Sequence, residues 1–247
     1  MTRGRLLAFG AGVYVLSLLA LAPASLIDAA LRDASAGRLR VAEAQGSLWS
    51  GRGEIEVRDG RGDSALSRPL SWRLRPAALM LARLGFVVTL DGSSAPFPLT
   101  LSWSRAEVTD ARFSLPASAL ANALPKLGPF GLGGDVDVQI SRVAITGDVV
   151  RGGASVQWRG ASSALTPVAP LGDYQFRFDG DDGDVHTSLR TLHGPLQLDG
   201  HGDWAQGGRP QFLTVAQMPP AARQQLAPFL RLVAVERADG SFEWRLK

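Results

Sequence analysis

Strict alternation of apolar and polar residues recurs along most of this chain and constrains its fold more than any other feature. Leu70, Trp72 and Leu74 are separated by single polar residues. Successive side chains of a β-strand point to opposite faces of the sheet, so this spacing predicts strands that bury one face only. The same spacing is found at Leu99–Trp103, Val136–Ile140, Tyr174–Phe178, Leu196–Leu198 and Phe242–Leu246.

Turn signals and prolines divide the alternating stretches. Polar-out strands joined by short turns favour an antiparallel meander over parallel βαβ units. Prolines at a first helical position predict three short helices, over Pro76–Arg83, Pro116–Leu124 and Pro219–Val233. The predicted fold is mainly β, a curved antiparallel sheet with a few short helices and possible halves at 36–125 and 126–247. The turn signals are Asp59-Gly60, Asp91-Gly92, Asp179-Gly180 and Gly207-Gly208.

An uncharged run extends from Leu6 to Ile27, with Arg3 and Arg5 before it. As a helix it would be about 33 Å long, enough to cross a hydrocarbon core of about 30 Å. Basic residues next to a membrane helix favour the cytoplasmic side. The pattern therefore predicts a cytoplasmic segment at 1–5, a transmembrane helix at 6–27 and a translocated β-rich domain at 28–247.

The alternative for the same segment is a cleaved signal peptide. Ala20-Leu21-Ala22 and Ala22-Pro23-Ala24 both have the small residues that signal peptidases accept. The run exceeds the usual apolar region of about 7–15 residues, and Pro23 lies at or beside both candidate cleavage sites. The length therefore favours a retained anchor, and either interpretation places the domain outside the cytoplasm.

Charge and cysteine content exclude several classes of function. Arg3 and Arg5 precede the apolar run, which leaves 24 of the 26 basic residues against 23 acidic ones. Nucleic-acid binding requires a basic face or stripe, and the arginines here are dispersed, so no nucleic-acid partner is predicted. The chain has no cysteine, which excludes disulfides, thiolate metal ligands and a cysteine nucleophile.

The only histidines, His186, His193 and His201, lie close in sequence to Asp184, Asp199 and Asp203. Such residues can bind divalent metals, but no HxH or HExxH spacing is present, and their place on the polar strand face favours solvated side chains. The acidic stretch Asp179–Asp184 lacks the glycine and glutamate of a calcium loop, which favours a hairpin turn.

No catalytic or cofactor motif is present. The sequence lacks a GxSxG elbow, and its glycine-rich stretches lack the spacing of phosphate-binding loops. The alternation predicts core positions for Trp72, Trp103, Trp158 and Trp244 rather than sugar-stacking platforms. We therefore predict a protein that is not an enzyme, with no catalytic, cofactor-binding or metal-binding residues.

Several short phrases occur in order along nearly the whole chain. The most specific is Gly46-Ser-Leu-Trp-Ser-Gly51, with Trp49 predicted as a buried anchor. The other phrases lie at Pro23–Asp28, Val41–Gln45, Trp72–Leu79, Leu115–Ser118, Pro170–Tyr174, Gly194–Trp204, Leu226–Leu232 and Asp239–Phe242. Together these phrases resemble the type II secretion system protein N family, and Gly46, Leu48, Trp49 and Gly51 form a family-like structural motif.

This resemblance implies a single-pass protein of the cell inner membrane with a periplasmic β-rich domain. It implies other type II secretion subunits as partners, membrane lipid around the N-terminal helix, and a role in exporting folded proteins across the outer membrane. The family has no known catalytic residues to transfer.

Two alternative functions remain open. A more distant likeness is to periplasmic β-groove proteins that shield lipid, in which an apolar strand face stays exposed well above a few hundred Å². A glycan-binding or hydrolytic domain would instead place paired carboxylates about 5–10 Å apart in a cleft.

Overall fold

The computed structural model describes residues 3–58, 64–90, 95–123, 127–147, 149–181, 183–205 and 211–246. Within these residues, fourteen strands form one antiparallel sheet. Each strand pairs with its neighbours in sequence except at the C-terminal end, where the last strand lies between the twelfth and the thirteenth. The prediction of a mainly β, antiparallel fold is confirmed.

The strands follow the alternating stretches. They are β1 (Leu39–Gly46), β2 (Ser50–Arg58), β3 (Ser64–Arg75), β4 (Leu84–Leu90), β5 (Phe97–Leu101), β6 (Arg105–Pro116), β7 (Leu132–Thr146), β8 (Val149–Ser163), β9 (Gly172–Asp181), β10 (Asp184–His193), β11 (Gln197–Trp204), β12 (Gln211–Gln217), β13 (Val235–Glu236) and β14 (Phe242–Leu246).

Four α-helices accompany the sheet: α1 (Arg3–Ala20), α2 (Ser25–Ala34), α3 (Ala117–Ala123) and α4 (Pro220–Val233). The three predicted helices are present with shifted ends. Pro220 begins α4, and Pro116 is still the last residue of β6. The helix predicted from Pro76 does begin there, but it is a 3₁₀ helix and ends at Leu81.

The turn predicted at Asp179-Gly180 lies further along the chain. Both residues belong to β9, and Asp181 pairs with Asp184 across the hairpin. The acidic stretch is therefore a hairpin, as expected, but its tip lies between these two aspartates. The signals at 59–60, 91–92 and 207–208 fall outside the described residues.

The uncharged run is divided between two helices. α1 ends at Ala20, and α2 begins at Ser25, after Pro23 forms an isolated bridge with Ser47. Proline lacks a backbone N–H, which explains why one helix does not continue through this point. Among the described residues, no helix has both the length and the apolar character needed to cross a membrane.

The sheet curves around α3, which lies against both β3 and β7. These strands are four positions apart in the sheet, about 19 Å in a flat arrangement, whereas a helix is about 10–12 Å wide. A helix can touch both strands only if the sheet bends toward it. Because Ala117 and Leu120 of α3 pack with Val136 of β7, the concave side is the apolar side, called here the inner face.

Separate apolar clusters lie along the inner face. One contains Val41, Trp72, Phe86 and Phe97, near the N-terminal end of the sheet. Another surrounds Phe242, which α4 covers with Leu226 and Leu230. β6 and β7, on either side of the helix and loop between the predicted halves, pair directly and continue the sheet.

Candidate functional site

The hairpin between β1 and β2 contains the family-like motif and depends on two glycines. Gly46 has a φ of +97°, and a Cβ atom there would lie 2.6 Å from the Ser50 carbonyl oxygen. Gly51 faces the Trp72 ring across the strand pair. Glycine is required at both positions because any side chain would overlap backbone or the ring.

Backbone hydrogen bonds attach the N-terminal segment to this hairpin. The Leu48 N–H donates to the Ala22 carbonyl oxygen at 2.8 Å, and the Ala24 N–H donates to the Gly46 carbonyl oxygen at 3.2 Å. Ala22 and Ala24 are both buried. Small side chains allow the two backbones to approach closely, so the residues that follow α1 are held as part of the sheet edge.

Asp28 fixes α2 over the same edge. Its carboxylate is buried, and Oδ1 accepts a hydrogen bond from the Val41 N–H at 2.9 Å. The Arg32 guanidinium donates to the other carboxylate oxygen. A strand edge otherwise exposes unpaired N–H groups, and a charged acceptor forms a strong hydrogen bond with such a donor.

Trp49, the tryptophan of the hairpin motif, is less buried than its predicted role as a buried anchor requires. Trp49 is half-buried, and its carbonyl oxygen accepts the Leu74 N–H at 2.6 Å. The buried tryptophan at this site is Trp72, which is 6% exposed and donates from Nε1 to the Ser47 carbonyl oxygen at 3.2 Å. Sequence alternation places Trp72 on the inner face, but only the strand register shows that it lies beneath the motif.

The prediction of core positions for tryptophans holds for Trp72 and fails for Trp103 and Trp244. Trp103 is fully exposed because β5 ends at Leu101. A turn follows the strand, and in this turn the Ser102 N–H donates to the Arg105 carbonyl oxygen. Trp244 is 46% exposed because only the two-residue β13 lies beyond its strand. Trp158 is half-buried, and its Nε1 donates to the Gly133 carbonyl oxygen at 2.9 Å.

The inner face remains partly uncovered through the middle of the sheet. Phe113, Val138, Val156 and Phe176 occupy directly paired positions in four successive strands, and all four are half-buried. The whole protein exposes 15515 Å², about 1.5 times the surface of a compact protein of this mass. The concave side of the sheet is therefore incompletely covered at this row of apolar side chains.

The outer face is polar and carries dispersed ion pairs. Glu107 and Arg142 lie 2.9 Å apart, and Asp137 and Arg159 lie 2.6 Å apart. Exposed pairs of this kind contribute about 0–1 kcal/mol each to stability. These carboxylates contact arginines rather than facing one another across a cleft, so they act as solvated strand residues.

The histidines and their neighbouring aspartates are spread along the outer face. His186 pairs with Asp203, and His201 lies opposite Ser188. His193 lies near Asp173, at 4.0 Å, rather than near the other two histidines. Within the described ranges, no three metal-ligand side chains are grouped closely enough to hold an ion.

His186 provides a pH-dependent contact. Its Nδ1 lies 2.7 Å from the Asp203 carboxylate, which raises the histidine pKa above 6.5, first through this hydrogen bond and then through the charges of Asp203, Asp184 and Asp181. The charged pair thus stabilises the fold below pH 6.5, and this contribution is lost as the pH rises through the folded-state pKa.

We expect the NMR titration midpoint of His186 to lie above 6.5, and Asp203→Asn to lower it because the hydrogen-bonded anion is removed. Asp199→Asn, on the same strand, is the control and should leave the midpoint unchanged. A midpoint insensitive to Asp203→Asn would contradict the pairing.

Residues 37–245 match the sequence model of the family described as type II secretion system protein N. The match begins before β1 and ends within β14, so it covers the sheet and the hairpin motif. Comparisons with curated proteins and with solved structures find no match.

Proposed function

Because the chain belongs to the type II secretion system protein N family, we propose that it is a non-enzymatic, inner-membrane component of that system, which helps export folded proteins across the outer membrane. Membership of the family supports a role in type II secretion and implies contact with other subunits of the apparatus. The observation that carries the proposal is the extent of the family match, which includes nearly the entire sheet.

The proposed anchor lies in the part of the predicted segment 6–27 that belongs to α1, with residues 1–5 in the cytoplasm and the sheet, with the segment at 22–24 bound to it, in the periplasm. Arg3 and Arg5 precede the apolar run, which favours this orientation. Exposed apolar side chains project from several sides of α1, at Phe9, Val13, Tyr14 and Leu18. Exposed apolar side chains such as these favour an apolar environment, which a lipid bilayer supplies.

The hairpin motif joins the proposed anchor to the sheet through hydrogen bonds. Ala22 and Ala24 hydrogen-bond to the hairpin directly after α1, and Asp28 holds α2 on β1. The domain would therefore have a fixed orientation relative to the membrane, because no flexible linker separates it from the anchor. A fixed orientation suits a subunit that presents particular surfaces to neighbouring membrane components.

A non-enzymatic role agrees with the chemistry of the two faces. The outer face carries ion pairs in solvent, and the inner face carries aliphatic and aromatic side chains. Binding and assembly use charged and apolar surfaces of this kind, whereas acid–base catalysis requires polar groups that converge on a substrate.

The test is secretion in a strain that lacks the gene. We expect the amount of secreted enzyme outside the cell to fall and the periplasmic pool of the same folded enzyme to rise, while its synthesis is unchanged. Complementation with the full chain should restore the wild-type distribution. Unchanged export in the deletion strain, with wild-type levels of every other subunit, would refute the proposal.

Lipid handling is the second candidate, and the partly uncovered inner face favours it. Half-buried Phe113, Val138, Val156 and Phe176 form an apolar row across four strands, which an acyl chain would contact. Mass spectrometry of the full chain purified in detergent would detect bound phospholipid. Retained lipid, normal export and a permeable outer membrane in the deletion strain would favour this function over the first.

A further inference from the structure

The two edges of the sheet differ in how they are closed. At the N-terminal edge, the segment at 22–24 and the Asp28 carboxylate bond to the hairpin and to β1. At the C-terminal edge, β13 has only two residues, which pair with Phe242 and Glu243 of β14. Among the described strands, none pairs with Trp244–Leu246 on that side.

Exposed apolar side chains surround this open edge. Leu232 at the end of α4 is 73% exposed, Val235 of β13 is 74% exposed and Trp244 of β14 is 46% exposed. They line a groove of about 490 Å³, called here the edge groove. Single exposed apolar residues are common on protein surfaces, but a group of them beside a free strand edge marks a site of interaction.

Arginines outnumber carboxylates around the edge groove. Glu236 contacts Arg231 at 3.0 Å and Arg223 at 3.3 Å. Glu243 contacts Arg237 at 2.9 Å and also contacts Arg245. The hydrogen bond from Arg231 is the main cause that lowers the pKa of Glu236, which therefore stays ionised beside the groove. The groove itself is lined by three arginines, Arg231, Arg237 and Arg245, and by one carboxylate, Glu243.

We propose that the edge groove binds an extended acidic segment of another secretion subunit, which adds a strand beside Trp244–Leu246. The proposal rests on the secretion role proposed above. A free strand edge supplies N–H and C=O groups for an added strand, and carboxylates pair well with arginines. A second copy of this chain would bring two positively charged grooves together, so the charge favours a different, acidic partner.

Site-specific crosslinking in secreting cells tests the proposal on the full chain. A photo-reactive amino acid is placed at Leu232 or Val235, and at Met80 as the control because Met80 is 89% exposed in the 3₁₀ helix after β3. We expect Leu232 and Val235 to trap another secretion subunit, and Met80 to trap none. Trapping of lipid or of a second copy of the chain would overturn the proposal.

Charge reversal then tests the acidic character of the partner. Arg237→Glu with Arg245→Glu should lower crosslinking from Val235 about tenfold, because two favourable charge contacts become repulsive. The control reverses Arg73 and Arg177, which are exposed on the outer face, and should leave the yield unchanged. An equal yield in both variants would refute an acidic partner.

Leu232→Asp provides an independent variant if the arginine variant does not fold, since its side chain projects into solvent from α4. It should reduce both the crosslink from Val235 and export. Export that depends on the gene but is unaffected by Leu232→Asp would refute the edge groove alone. Export that does not depend on the gene would refute the secretion role itself.

Discussion

Replacing Trp72 by alanine is expected to lower the free energy of unfolding by about 3–5 kcal/mol, the largest effect of any single substitution considered for this protein. Trp72 is 6% exposed and belongs to the cluster that joins Val41, Phe86 and Phe97 across the first five strands. Its removal leaves a cavity and also leaves the Ser47 carbonyl oxygen without its indole donor. Urea unfolding of the full chain in detergent, followed by circular dichroism, measures the change.

Two other tryptophans provide controls for Trp72. Trp103→Ala should change the free energy of unfolding by less than about 0.5 kcal/mol, because the side chain is fully exposed at the tip of a turn. Trp49→Ala should fall between the two, because that side chain is half-buried. If Trp49→Ala destabilised the protein more than Trp72→Ala, the assignment of Trp72 as the main packing residue beneath the hairpin would be wrong.

The sheet could be predicted from the sequence because its signal is local. One side of each strand is apolar and the other is solvated, so alternation alone locates β3, β7 and β9. Alternation does not show where a strand ends. Trp103 continues the alternation of Leu99 and Leu101, yet it follows the last residue of β5 and contacts solvent.

Curvature and coverage of the inner face could not be derived in the same way. They depend on which distant elements meet, as when α3 contacts both β3 and β7. Alternation predicts that Val138 and Phe176 face the apolar side, but it does not show how much protein lies over them. Their partial burial follows from the bending of the sheet, which no local pattern encodes.

The hairpin motif illustrates the same limit at the candidate site. Its glycines and tryptophan predicted a structural role, and the spacing placed it at the start of the strands. The partner of the hairpin, however, is the segment at Ala22–Ala24, which lies within the apolar run, and no pattern there indicates that it pairs with the hairpin. Because Pro23 ends the regular helix there, these backbone groups become available to the hairpin.

Gly51→Ala should reveal how closely this junction is packed. An alanine Cβ would overlap the Trp72 ring and would lie 2.5 Å from the Gln45 carbonyl oxygen. The backbone cannot move away easily, since Gly51 pairs with Gly46 on one side and Trp72 on the other. We expect a loss of about 1–3 kcal/mol in the free energy of unfolding, the usual cost of overpacking.

Gly147→Ala is the matched control, because nothing lies within 4 Å of its Cβ position and only its φ of +58° opposes a side chain. That strain costs about 1 kcal/mol. Gly51→Ala should also loosen the hydrogen bonds to Ala22 and Ala24, so limited proteolysis should cleave near residues 21–24 faster in this variant than in Gly147→Ala. Equal cleavage at this segment in both variants would mean that the hairpin does not hold the N-terminal segment in place.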